Sequence, residues 1–204
     1  MLDFINPVCA GILDHSRHVE RTLSANLVWM DLEMTGLDPK CDRIIEIATL
    51  ITDDELNILA EGPVFAIRQT QDLFDGMDNW NQKHHSESGL LARIKAEGVA
   101  ETEAEAMTLA FLEEHVAKGA SPLCGNTIWQ DRRFLSRYMP TLESYLHYRM
   151  IDVSSVKELA YRWRPDIFSS FQKKNEHTAL ADIHESVEEL RHYKTHFFQL
   201  QEES

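Results

Sequence analysis

The sequence predicts an α/β fold built on a mixed sheet, and three observations predict it. Its 204 residues, 43% hydrophobic and 26% charged, suit one α/β domain with a full core. Three apolar strand patterns at 27–33, 43–52 and 59–68 follow one another with no room for a helix between them, which implies antiparallel neighbours. Beyond them, short strand patterns alternate with helical ones, as in a sheet whose later strands run parallel. Repeats, low-complexity tracts and internal linkers are missing from the chain, so residues 26–204 read as a single domain. Residues 1–25 lack periodicity and mix charges with Pro7 and Gly11, and read as a poorly ordered extension or a start-site artefact.

The elements follow in order. The three strands are joined at 36–41 and 53–57. Helical patterns cover about 72–84, 86–97 and 102–117, the last opening on Thr102-Glu-Ala-Glu105 with the spacing of a capping box. Residues 121–126 form a short buried strand and 131–139 a helix stopped by Pro140. Another strand is expected at 148–152, then a helix at 154–163 with Pro165 just beyond. A long final helix runs from about 178 to 198, with Ala179, Ile183, Val187 and Leu190 at helical spacing.

Bulk chemistry narrows the function. No run of 18 apolar residues exists, which excludes a helical membrane span. The first 13 residues are mildly apolar but carry Asp3 and lack a basic leader, which argues against a secretory signal. Cys9, Cys41 and Cys124 are few, odd in number and far apart, which suits a reducing cytoplasm better than a disulfide framework. The net charge of −14 leaves little basic surface for long nucleic acid. A nucleic-acid substrate should therefore be short, held by local contacts and bound cations.

Leu27-Val-Trp-Met-Asp31-Leu-Glu33-Met-Thr-Gly-Leu37-Asp38 is the most informative segment. Asp31 and Glu33 stand two apart on a strand and point to one face. Two carboxylates side by side repel unless a cation separates them, and Mg²⁺ or Mn²⁺ prefers such oxygen ligands. Taken alone the pair is equally a solvated strand end. Asp131, at a helix entry in Gln130-Asp131-Arg-Arg-Phe, can simply complement the helix dipole. Asp182, in His177-Thr-Ala-Leu-Ala-Asp182, lies one and a half turns into the final helix beside the core position Ile183. There a buried carboxylate needs a donor or cation. Together, Asp-x-Glu, Asp and His-x₄-Asp make the inventory for two divalent ions about 4 Å apart plus a general base, a site for in-line displacement at phosphorus.

These motifs resemble those of the DEDDh 3′→5′ exonucleases of the ribonuclease H-like superfamily, and most closely the oligoribonucleases. The likeness runs from about Leu27 to the last helix, through Trp29-Met-Asp31-Leu-Glu33-Met-Thr-Gly-Leu-Asp-Pro, Asp42-Arg-Ile-Ile-Glu-Ile-Ala, Gly125-Asn, Gln130-Asp131-Arg-Arg-Phe and Asp152-Val-Ser. The resemblance implies that Asp31, Glu33 and Asp182 ligate one ion, Asp31 bridging to a second that Asp131 supports through water. It implies His177 as the base that deprotonates the attacking water, with nucleoside 5′-monophosphates as products. Leu37 would wedge between the bases of a short substrate, Trp80 would stack on one, and His85 would approach the phosphate. Thr127 keeps a hydroxyl for a phosphate contact, and Ser154 would touch the 5′ end. Tyr148 and Arg149 would cap that end from the other subunit of a homodimer. Thr127-Ile-Trp129 departs from the family, where Ser and a small residue are expected, and the N-terminal extension has no counterpart.

Two other readings stand beside a short-RNA exoribonuclease. A DNA-proofreading exonuclease would use the same five residues, though the Met34-Thr-Gly-Leu and Tyr148-Arg-Met-Ile-Asp152-Val-Ser segments favour oligoribonuclease. A non-enzymatic acidic scaffold would require five independent residue choices to coincide with a hydrolytic site.

Overall fold

The structure is a computed structural model, and it describes residues 26–172 and 178–198. The extension expected over 1–25, and His177, lie outside the described residues. Strands β1 (Leu27–Met34), β2 (Ile44–Thr52) and β3 (Ile58–Ala66) pair antiparallel as expected. Strands β4 (Leu123–Gly125) and β5 (Met150–Asp152) pair parallel, and the sheet order is β3-β2-β1-β4-β5. β1 is therefore central, and β2, buried along its whole length, flanks it.

Alternation along β1 divides the core. Val28, Met30 and Leu32 join Ile47, Leu112 and Phe134 on one side. Trp29 joins Leu50, Val153, Ala179, Ile183 and Tyr193 on the other. Asp31 and Glu33 share the parity of Trp29, so they extend that second row past the apolar residues.

The helices correct several expectations. The helix expected over 72–84 is two, α1 (Gln71–Asp75) and α2 (Asn79–Glu87), with the Asp78 side chain accepting from the Asn81 N–H at the start of α2. Helix α3 (Leu90–Glu97) follows, then α4 (Glu101–His115), whose N-cap is Ala100 rather than Thr102. Glu105 closes no capping box. Its Oε1 accepts from the N–H groups of Thr141 and Leu142 (2.7 and 3.0 Å), at the start of α6 (Pro140–Glu143). Helix α5 (Ile128–Tyr138) begins three residues earlier than expected, so Asp131 lies in its first turn. Helix α7 (Val153–Trp163) matches its pattern, but Pro165 opens a short α8 (Pro165–Ser170), since proline fits a helix's first position. Helix α9 (Ala179–His196) starts after Thr178, whose Oγ1 accepts from the Ala181 N–H. Asp182 therefore sits in the first turn of α9, not a turn and a half inside.

Candidate active site

The end of β1 outruns its parallel neighbour. β4 pairs with Val28 and Trp29 and stops at Gly125. Three residues beyond Trp29 on β1, the Leu32 N–H donates to Asp131 Oδ1 at 3.0 Å. Helix α5 thereby brings a third carboxylate to the strand end. Helix α9, packed on β1 and β2, supplies the fourth. Carboxylate oxygens of Asp31, Glu33 and Asp182 lie within 4.8 Å of one another.

The electrostatics are those of anions crowded out of water. Burial, then the charges of Asp131, Glu33 and Asp182, push the Asp31 carboxyl well above its ordinary range. Burial, followed by the negative charges of Glu46, Asp182 and Asp131, raises Glu33 to about 8. Asp131 is raised to about 7, mainly by burial, against the N–H bonds that favour its charged form. Glu46 faces Glu33 across the β1–β2 ladder and is itself paired with Arg93 at 2.5 Å. A cleft that holds several carboxylates against their own repulsion and offers only oxygen at its centre fits hard divalent cations.

His85 is 1% exposed beneath this cluster, its Nε2 hydrogen-bonded to the Met34 carbonyl at 2.9 Å and its Nδ1 3.8 Å from Glu33 Oε2. Burial, above all, lowers its pKa. His84 on the next position stacks on Trp80 with ring centroids 4.8 Å apart. Trp80 is 67% exposed, so it is no core anchor, and Leu37 is 71% exposed. The loop carrying Leu37 is held by Asp42, which accepts from Thr35 Oγ1 and the Asp38 N–H (3.0 and 2.9 Å). A Cβ at Gly36 would come 2.6 Å from that carboxylate, so only glycine fits there. Gln130 Nε2 ties the Leu37 carbonyl to α5 at 2.6 Å.

Thr127 heads α5 with φ of 53°, a left-handed conformation that a β-branched residue adopts at a cost of roughly 1–3 kcal/mol. Its N–H reaches Asp152 Oδ1 and Ser154 Oγ, both at 3.0 Å, and its hydroxyl also meets Ser154 Oγ at 3.0 Å. Asn126 Oδ1 accepts from Ser154 Oγ at 3.0 Å, while its Nδ2 donates to Ser186. Thr127 and Ser154 are thus brought together. Tyr148 and Arg149 stand exposed on the surface, bonded to each other at 3.1 Å, with Arg132 gripping the carbonyls of residues 147–149. Trp129 points outward, its ring 5.7 Å from the Arg133 guanidinium.

Sequence reasoning missed Glu46, His84, Asp42 and Gln130. Asp42, Glu46 and Gln130 all stood inside the motifs; Asp42 bonds within its own loop, whereas the partners of Glu46 and Gln130 become visible only once the strands and helices are assembled.

Comparison with known proteins agrees with this geometry. Residues 28–190 match the RNase_T family model, described as Exonuclease, and the class so defined is that of metal-dependent exonucleases. The fold matches that of E. coli exonuclease I in complex with a dT13 oligonucleotide, with a TM-score of 0.65 at 20% identity over 84% of this chain. This chain spans only 41% of that protein, a ribonuclease H-like fold shared without its remaining length. An oligoribonuclease of Shewanella loihica is 62% identical over 175 residues, 86% of this chain and 97% of the relative. One of Alcanivorax borkumensis is 61% identical over 172 residues, 84% and 95% respectively. The chain belongs to the oligoribonuclease family of exonucleases.

Proposed function

We propose that this chain is a 3′→5′ exoribonuclease that hydrolyses very short RNA, dinucleotides included, to nucleoside 5′-monophosphates. The observation that carries the reading is the convergence of Asp31, Glu33 and Asp182 within 4.8 Å, with Asp131 bonded to the same strand end. Asp31, Glu33 and Asp182 would hold one Mg²⁺ or Mn²⁺ ion, and Asp31 and Asp131 would hold a second. When bound, the pair of cations stabilises charge on the attacking and leaving oxygens of an in-line displacement. His177, outside the described residues, takes the proton of the attacking water. An imidazole titrating near neutrality suits that task. The water oxygen joins the 3′-terminal phosphorus, the bond to the 3′ oxygen of the preceding nucleotide breaks, and that oxygen leaves as a hydroxyl on taking a proton from solvent, to which His177 returns its own.

The surrounding residues select length. Leu37 and Trp80, both exposed beside the cluster, receive bases, since stacking on aromatic faces tolerates any sequence. His85, its Nδ1 3.8 Å from Glu33 Oε2, would approach the phosphate. Thr127 contacts a phosphate through its hydroxyl, and Ser154, bonded to it, meets the 5′ end. Tyr148 and Arg149 close that end from the partner subunit of a homodimer. Residues 26–204 act as one exonuclease domain, with residues 1–25 as an extension of it. The protein works in the cytoplasm; no helix among the described residues is long and apolar enough to cross a membrane.

Asp182→Asn tests the carboxylate cluster. Activity should fall at least about 100-fold with circular dichroism unchanged, as expected when a contact to the transition state is removed. Full activity in a folded Asp182→Asn protein would sink the reading.

A further inference from the structure

The same strand end presents a second donor set of different chemistry. Ligand atoms of Glu33, His84 and His85 lie within 4.8 Å of one another. Neighbouring residues on a helix do not normally face each other. Here both imidazoles are nonetheless fixed. His84 is clamped against Trp80, four residues earlier on α2, in a near-parallel stack of 9°. The His85 ring meets His84 edge-on, with centroids 5.5 Å apart.

His85 carries the decisive detail. A carbonyl only accepts, so the 2.9 Å bond to Met34 places the proton of a neutral ring on Nε2. Nδ1 is left with its lone pair. That atom is buried and has no hydrogen-bond partner, and it faces Glu33 Oε2 at 3.8 Å, beyond hydrogen-bond length. Leaving a buried acceptor unmet is costly, because its lost contact with water is not replaced. Two ligands each about 2.0–2.2 Å from a tetrahedral ion stand about 3.4 Å apart, close to the separation seen. A histidine oriented by a backbone carbonyl on one nitrogen and open on the other is also how metal-ligating imidazoles are held.

We propose that Glu33, His84 and His85 form a binding site for a borderline divalent cation of the zinc class, and that its occupation inhibits hydrolysis by drawing Glu33 out of the carboxylate cluster. Mixed imidazole–carboxylate ligation favours zinc over magnesium, whereas the oxygen-only set of Asp31, Glu33 and Asp182 has the opposite preference. The two sites share Glu33 and so exclude each other. The inhibitory half of the proposal rests on the exonuclease reading above; the binding half does not.

Co²⁺, which shares these ligand preferences and absorbs in the visible when held by nitrogen and oxygen, reports on the site directly. The metal-free full chain, His84→Phe and Asp182→Asn are titrated with Co²⁺ and then with Zn²⁺. Phenylalanine keeps a ring on Trp80 and removes only the ligand. The wild-type and Asp182→Asn proteins should develop a visible band that Zn²⁺ abolishes, and His84→Phe should not. The Zn²⁺ concentration that halves Mn²⁺-supported hydrolysis should rise at least about tenfold in His84→Phe. A missing band in the wild type, an equal band in His84→Phe, or unchanged zinc sensitivity overturns the proposal. If the wild type hydrolyses no RNA at all, the exonuclease reading fails instead, and the Co²⁺ bands still decide this site.

Discussion

Glu33 bears an electrostatic cost whenever no cation is present. Its carboxyl is raised from 4.5 to about 8 by burial and by Glu46, Asp182 and Asp131. Below pH about 4.5 it is protonated both folded and unfolded and contributes nothing. Between there and about 8 the unfolded chain ionises while the folded chain keeps its proton, so stability falls as pH rises through that window. Above it the full penalty stands, on the order of 5 kcal/mol. In EDTA at pH 8.5, Glu33→Gln should therefore melt several degrees above wild type, with the gap closing towards pH 5. Added Mn²⁺ should raise the wild-type melting temperature and leave Glu33→Gln nearly unmoved. A destabilised Glu33→Gln protein in EDTA would contradict this account. At this scale the pair Asp31 and Glu33 was legible because strand periodicity is local. The Arg93 salt bridge on Glu46 and the Met34 bond on His85 join positions 47 and 51 residues apart, so no local pattern announces them.

Helix ends proved harder to read than helix faces. Thr102 and Glu105 have capping-box spacing, yet α4 starts at Glu101 and Glu105 instead accepts two N–H groups at the start of α6. The physical reason is competition: a carboxylate satisfies whichever unpaired N–H groups it can reach, and tertiary packing brought those of Thr141 and Leu142. Glu105→Ala should thus cost about 1 kcal/mol, a fall of roughly 2–4 °C in melting temperature, without loss of activity. No change in melting would show that water serves those donors equally well. Pro165, just beyond the helix expected at 154–163, begins α8, since proline fits a first helical position. The strands were legible to within two residues because each is a run of apolar residues bounded by turns.

For the whole molecule, strand direction followed from connection lengths: short links made β1–β3 antiparallel, and long helical links left β4 and β5 parallel. Quaternary structure left only an indirect mark. Tyr148, Leu159, Tyr161 and Trp163 are exposed around β5 and α7, an apolar surface suited to the proposed partner subunit. The net charge of −14 works against extended nucleic acid, and the proposed cap on the 5′ end would exclude it sterically. Both point to substrate length as the central claim. A 5′-labelled diribonucleotide and a longer RNA, each incubated with Mn²⁺ and then with EDTA, test it directly. The account predicts rapid, metal-dependent cleavage of the two-mer with slow loss of the longer strand. Preference for the longer strand would contradict it.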